Sequence, residues 1–155
     1  MTEIELAYMA GLFDGEGCIS ITKVYPKQTN LHNASYGLTT RVSMVDKNIP
    51  EFFYSTFGGH LVEKKPRKSE EKLQWKWGAC GANASICLRE LLPYLRSKTE
   101  EAEIALNFWG TKRTRGGNKG MRGNLPKSKE EIAHEEAHYI LVHQLKDKRQ
   151  EVSHE

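Results

Sequence analysis

The sequence predicts an α+β domain: a helix, a hairpin, a second helix, a second hairpin and then further helices. Three observations lead there. The hydrophobic period changes from helical to alternating directly after Gly17, and again after Gly58-Gly59. Each alternating stretch has one apolar and one polar face, the form of a sheet packed on one side. Capping residues stand immediately before several of the apolar runs. At 155 residues the chain is the size of one domain, for which ~100–200 residues are usual. The expected organisation is a single domain over 1–155: first helix and sheet at 1–82, helices at 83–110, a basic Gly-rich loop at 111–127 and a C-terminal helix at 128–150.

Thr2-Glu3-Ile4-Glu5 has the form of a capping box, Thr2 as N-cap and Glu5 reaching back, so the first helix should start at the N-terminus itself, with no leading domain. From Leu6 to Phe13 every residue is apolar or Gly, a pattern that calls for burial on more than one side. After Gly17, Cys18, Ser20, Thr22 and Val24 alternate with Ile19, Ile21 and Lys23 to give a strand. Pro26 to Ser35 reads as a long hairpin loop. The second strand, Tyr36 to about Met44, places Leu38, Thr40, Val42 and Met44 inward and Gly37, Thr39, Arg41 and Ser43 outward.

Asp46 has the character of an N-cap for a helix through Phe57, with Ile49, Phe52, Phe53 and Phe57 as its apolar stripe and Gly58-Gly59 as its stop. His60 to Arg67 and Lys72 to Cys80 form the second hairpin around the charged turn Lys68-Ser69-Glu70-Glu71, with Trp75 and Trp77 alternating against Gln74 and Lys76. Asn83 is expected to cap a helix through Leu92, which Pro93 breaks, and another helix should run from about Lys98 to Trp109. Residues 110–127 contain Lys112, Arg113, Arg115, Lys119, Arg122 and Lys127 and no acid, which suits either a flexible connector or a phosphate-contacting loop. Ser128 caps a last helix to about Gln150, with Ala133, Ala137, Ile140 and Leu141 on one side. No internal repeat is visible.

Composition narrows the function classes. The 23 Lys+Arg against 20 Asp+Glu give a net charge of +3, a mild basic bias that permits nucleic-acid binding without requiring it. Cys18, Cys80 and Cys87 are odd in number and match no zinc spacing, so free packing thiols in a reducing compartment are expected. The chain carries no secretion signal, and Leu6 to Phe13 is far short of the ~20 residues that span a bilayer. An intracellular protein, cytoplasmic or organellar and without a membrane partner, is expected.

The chemistry concentrates at the end of the first helix. Asp14 and Glu16 fall where the helix dipole is already negative, which is unfavourable without a compensating cation. A divalent ion such as Mg²⁺ suits the hard oxygens of Glu16 and the carbonyl of Gly15. Ala7, Gly11 and Gly15 recur every four residues and leave one flank nearly without side chains, open to close approach by a second backbone. On the two hairpins, Ser20, Thr22, Thr39, Arg41, Ser43, Lys65, Arg67, Gln74 and Lys76 make a polar and cationic platform that suits double-stranded DNA, with the register of the third strand, and so the face of Lys65, open.

Tyr8 to Gly17 with Cys18-Ile19-Ser20-Ile21 resembles the signature of the LAGLIDADG homing endonucleases, departing from its nine letters at Met9, Phe13, Gly15 and Glu16, the last of which keeps a carboxylate. The resemblance covers roughly residues 4–110. It implies the αββαββα fold with a four-stranded antiparallel saddle-shaped sheet and additional C-terminal helices. It also implies site-specific double-strand cutting of a long pseudo-palindromic DNA site, with 3′ overhangs and dependence on Mg²⁺ or another divalent cation such as Mn²⁺. Glu16 and Gly15 would then be metal ligands, Glu16 and Lys98 catalytic, Lys98 because Pro93-Tyr94-Leu95 before it resembles the family segment whose lysine reaches the active site. One motif copy implies a homodimer packed through Ala7, Tyr8 and Gly11. The family's polar residue at the end of the second strand has Ser43, Met44, Asp46 and Lys47 as candidates, and none is assigned. The alternative function is a non-cutting relative, an intron RNA-splicing maturase or a DNA-binding regulator.

His134-Glu135-Glu136-Ala137-His138 formally satisfies H-E-x-x-H, a zinc-protease pattern. It lacks a convincing third ligand, since Glu151, His154 and Glu155 fall in the tail. A satisfied helix surface is therefore the preferred reading.

Overall fold

Thr2 caps α1 (Glu3–Glu16): its Oγ1 accepts from Glu5 N at 3.2 Å while the Glu5 carboxylate accepts from Thr2 N at 2.7 Å, which is the capping box that the sequence spells. The computed structural model describes residues 1–25, 34–66, 72–112 and 127–152 of the chain. The expected hairpin loop, the charged turn at 68–71 and most of the basic loop fall outside the described residues, as does Arg67. After α1 come β1 (Gly17–Val24), β2 (Ser35–Met44), α2 (Asn48–Phe57), β3 (His60–Lys64), β4 (Gln74–Cys80), α3 (Gly81–Leu91), a 3₁₀ turn over Leu92–Tyr94, α4 (Thr99–Thr111) and α5 (Lys129–Val152). The α+β class and the order of elements are as the sequence predicts.

The strands form one antiparallel sheet in the order β1-β2-β4-β3. Ile19, Ile21, Tyr36, Leu38, Thr40, Val42, Trp77 and Ala79 are buried on its inner face, where the helices stack. Phe53 of α2 packs on Trp77 with ring centroids 5.0 Å apart and on Phe13 of α1 at 6.2 Å. A fully buried indole must still satisfy its N–H, and Trp77 Nε1 donates to Gly58 O at 2.8 Å. Gly58 stops α2 at φ 67°, a left-handed conformation that disfavours other residues.

Several local expectations are corrected. Asp46 stands one residue ahead of the cap position: its carboxylate takes Asn48 N, the first N–H of α2, at 2.9 Å, and Lys47 is the cap residue without a side-chain bond. Asn83 lies inside α3, whose cap residue is Cys80. β3 ends at Lys64, three residues before Arg67. Of the thiols, only Cys87 is buried; Cys18 is half-buried and Cys80 exposed. Ser128 does cap α5, accepting from Glu131 N at 3.1 Å. The apolar side of α5 does not make its contact with the body, however: Ala133, Ala137, Ile140 and Leu141 are exposed, while Glu135 and Val142 are buried. None of the described helices is long and apolar enough to cross a membrane.

Candidate active site and nucleic-acid interface

The chain turns from α1 into β1 with no intervening loop, because Gly17 has no Cβ. A methyl there would stand 2.4 Å from the Phe13 carbonyl oxygen and 2.6 Å from its buried ring. This tight passage sets Asp14, Gly15 and Glu16 at the head of the sheet. Their roles divide. Asp14 turns toward the start of α4, where its carboxylate accepts from Arg96 N at 2.7 Å and from Lys98 N at 3.1 Å. Its carbonyl accepts from Lys98 Nζ, and Ser97 Oγ lies 3.5 Å away. The unfavourable charge expected at this helix end is thus compensated for Asp14 by the protein's own N–H groups and a lysine. Glu16 is different: it is exposed and has no hydrogen bond or ion pair among the described residues.

Lys98 is 6% exposed, far from the solvated lysine that a helix start usually carries. Burial, helped by the Arg149 charge, pushes its ammonium below the usual lysine range against the pull of Asp14 and Glu101. Glu101, one turn further along α4 and 1% exposed, faces Arg149 of α5 at 2.8 Å. Neither carboxylate oxygen of Glu101 receives a well-directed hydrogen bond, so proximity of charge is what compensates it. Arg149 also donates to Ser97 O at 3.3 Å.

The outer face of the sheet can be read in rows. Ser20 lies opposite Thr39, which lies opposite Cys80; Cys18 faces Arg41, Gly78 and His60 in turn; Ser43 faces Lys76 and then Val62; and Gln74 faces Lys64. Ser20, Thr22, Thr39, Arg41, Ser43, Gln74 and Lys76 therefore share one face. Lys65 does not join them. It follows the last residue of β3, and continued alternation puts it on the side of Leu61 and Glu63, which pair with Trp77 and Trp75. The third strand instead presents His60, Val62 and Lys64 outward, and Lys64 Nζ donates to Gln74 Oε1 at 3.4 Å. Leu61 and Val62 are both apolar, so alternation alone leaves the phase open; the partner Trp77 decides it.

Several of the outward groups are already engaged. Thr22 Oγ1 donates to Gly37 O at 3.1 Å and Thr39 Oγ1 to Ser20 O at 3.3 Å. Ser20 Oγ accepts from Lys146 of α5 at 2.7 Å. Burial resists ionisation of the Cys18 thiol, but the Ser20 hydroxyl and the Lys146 and Arg41 charges outweigh it and hold the thiol below its usual range.

The H-E-x-x-H stretch is a seam between helices. His134 Nε2 lies 2.8 Å from Thr111 Oγ1, His138 Nε2 lies 2.9 Å from Asn107 Oδ1, and the buried Glu135 pairs with Lys127. Among the described residues no group of three or more His, Cys, Asp and Glu could hold a metal ion.

No family model matches the sequence, and no curated protein does. Solved structures do match. The homing endonuclease I-CvuI, in complex with its target in the presence of calcium, superposes with a TM-score of 0.58 at 22% identity, over 69% of this chain and 66% of that one, just under two thirds of its length. The archaeal intron-encoded homing endonuclease I-Vdi141I, complexed with DNA, matches with a TM-score of 0.57 at 11% identity, over 70% of this chain and 68% of that one. The LAGLIDADG homing endonuclease I-GzeII, with its DNA target, matches with a TM-score of 0.53 at 16% identity, over 68% of this chain but 35% of that one. The fold is that of the homing endonucleases. More narrowly, this chain has the LAGLIDADG fold, in agreement with the motif from Tyr8 to Gly17.

Proposed function

We propose that this protein is a LAGLIDADG homing endonuclease that binds a long pseudo-palindromic DNA site as a homodimer and cuts both strands to leave 3′ overhangs. The observation that carries the reading is the division between the two acids of the motif: Asp14 is satisfied within the chain and holds Lys98, whereas Glu16, two residues on at the head of a polar sheet face, is exposed and has no partner among the described residues. An acid kept at a helix C-terminus without a partner is costly unless something outside the chain compensates it.

Glu16 and the carbonyl of Gly15 would hold Mg²⁺ or a similar cation such as Mn²⁺. When bound, such an ion activates water and stabilises the leaving oxygen of a phosphodiester. The chain's own contributions are separable from it. Lys98, fixed by the Asp14 carbonyl and its own backbone bond to the Asp14 carboxylate, places a desolvated positive charge where negative charge develops. Arg41, Lys76 and Lys64 offer cations to phosphates and guanine edges, and Gln74, Ser43 and Thr39 offer adaptable hydrogen bonds to bases. One acidic turn per chain serves one strand, so two chains related by a two-fold axis through Ala7, Tyr8 and Gly11 serve both.

Selection of cleaved sites from a randomised duplex library, with and without Mg²⁺ and with Glu16→Gln beside the wild type, tests this. A single long, near-symmetric site cut only by the wild type with Mg²⁺ supports the proposal. Tight binding without cutting supports the non-cutting relative, a maturase or regulator, and cutting by Glu16→Gln at the wild-type rate removes the motif turn from the chemistry.

A further inference from the structure

α5 crosses the free edge of β1. Toward its start it is held on the helix-covered side, where the Glu136 carboxylate takes hydrogen bonds from Lys23 Nζ at 2.6 Å and from the Tyr36 hydroxyl. Toward its end it reaches the other side: Lys146 Nζ lies 2.7 Å from Ser20 Oγ and 3.6 Å from Cys18 Sγ. Lys23 shares its face of β1 with the buried Ile19 and Ile21, and Ser20 and Cys18 belong to the opposite one. A helix in the helical layer therefore delivers a cation to the polar face of the sheet, near the acidic turn, since Cys18 stands two residues beyond Glu16.

The surroundings of Lys146 point to an anion. No carboxylate pairs with it among the described residues; its hydrogen-bond partners are a hydroxyl and a thiol. Arg41 stands opposite Cys18 in the strand register, so two cations flank that thiol. An ammonium has three donors, and Ser20 and Cys18 engage two of them, one weakly, which leaves a directed N–H and the full charge. The tether removes much of the side-chain freedom that a solvated lysine would lose on making a contact. An ammonium is a point charge without the fork geometry that reads a base edge, so a phosphate oxygen is the group it suits.

We propose that Lys146 is a phosphate-contacting residue of the DNA interface, delivered by α5, and that Ser20 is its positioning partner rather than a base-reading hydroxyl. The inference rests on the DNA-binding function proposed above and adds to it a residue from outside the sheet.

The test is the salt dependence of binding to a mixed-sequence duplex and to the selected site, without divalent cation, for the wild type, Lys146→Gln and Lys146→Arg. Glutamine keeps most of the stem and a donor for Ser20 while removing the charge. The slope of log affinity against log salt should flatten by about 0.9 per chain in Lys146→Gln, equally on both duplexes, and recover in Lys146→Arg. Ser20→Ala should keep the wild-type preference among target sites. Unchanged slope in Lys146→Gln, or a changed preference at one base position in Ser20→Ala, overturns the proposal. A readout independent of any variant is acetylation of Lys146 in the wild-type protein, mapped by mass spectrometry: the duplex should protect it, and equal labelling with and without DNA overturns the proposal. A wild type that binds neither duplex overturns the DNA-binding function itself and this inference with it.

Discussion

Replacing Asp14 and Glu16 separately by their amides should give opposite phenotypes, although the two acids are two residues apart. Asp14 accepts two backbone N–H bonds, from Arg96 at 2.7 Å and Lys98 at 3.1 Å. Asparagine keeps one acceptor oxygen and turns its amide NH2, a donor, toward the other N–H, so one charge-assisted bond is lost and the second weakened. A hydrogen bond to a charged group contributes about 1.5–3 kcal/mol. Asp14 is half-buried, so the lower half of that range applies to Asp14→Asn. For a chain of this size about 1 kcal/mol moves the melting temperature by roughly 2–4 °C, so a fall of about 3–9 °C is expected. Glu16 is exposed and has no partner among the described residues to lose, so Glu16→Gln should stay within about 0.5 kcal/mol of the wild type.

Cleavage separates them the other way. Glu16→Gln should bind target DNA within about tenfold of the wild type, roughly 1.4 kcal/mol, and lose strand cleavage by several orders of magnitude. Asp14→Asn, assayed well below its melting point, should bind DNA and cut more slowly by about 10²–10³, the usual cost of losing one stabilising donor, because its effect passes through the placement of Lys98. Thermal melts at one protein concentration, with DNA binding and single-turnover cleavage on the same preparations, decide the matter. Asp14→Asn as stable as the wild type, or Glu16→Gln destabilised as strongly as Asp14→Asn, would refute the division of roles.

Gly17→Ala should destabilise by about 1–3 kcal/mol or more, since its Cβ would meet the Phe13 backbone and buried ring, whereas Gly78→Ala, whose nearest neighbour is the exposed His60 ring at 2.6 Å, should cost little; urea titration of both checks this. His134→Ala with His138→Ala should leave cleavage and metal content unchanged while destabilising by about 1–3 kcal/mol through two lost bonds to α4. One stoichiometric zinc lost in the double mutant would overturn that expectation. Lys23, followed by the Tyr36 hydroxyl, holds the Glu136 carboxyl below its usual range. Its contribution to stability is therefore present above the unfolded carboxyl value of about 4.3 and lost as pH falls through the lower folded value. Urea midpoints compared between about pH 3 and 7 should show a shallower acid limb in Glu136→Gln.

The parts of this protein that a reader of the sequence can see are those fixed by neighbours in the chain. The Thr2 box and the alternation from Cys18 to Val24 each involve residues a few positions apart, and both appear in the structure as written. The Asp14 bonds join residues 82 and 84 positions distant, so its charge reads in sequence as a problem that a metal must solve. Asp46 has the right residue type for a cap and does reach the first N–H of α2, but from one residue before the cap position. α5 misleads most. It docks on the body through the buried Val142 and the partly buried Tyr139 together with polar contacts of His134, Glu136, His138, Lys146 and Arg149, while its apolar residues Ile140 and Leu141 face outward. A hydrophobic stripe indicates the docking face only where burial of apolar area drives the docking.

Gly11 and Gly15 present a cost without a return inside the chain. Both lie within α1, neither has a positive φ, and a Cβ built on either would find nothing within 4 Å. Glycine inside a helix is destabilising by roughly 0.5–1 kcal/mol relative to alanine, and nothing among the described residues of the chain explains its use at these positions. Around them Ile4 is 83% exposed, Tyr8 53% and Ala7 exposed, an apolar flank on the helix that ends at Glu16. A second α1 laid against this flank would need the absence of side chains at Gly11 and Gly15, cover Tyr8 and Ile4, and bring two acidic turns to one duplex. Gly11→Ala should accordingly stabilise the dissociated chain by about 0.5–1 kcal/mol and weaken self-association at the same time. Gly11→Leu should abolish both assembly and double-strand cutting. Sedimentation across a concentration series, paired with denaturation of dilute protein, measures the two effects separately. A Gly11→Leu protein that sediments as a dimer, or a wild type that sediments as one chain at micromolar concentration without DNA, would show that α1 is not the interface.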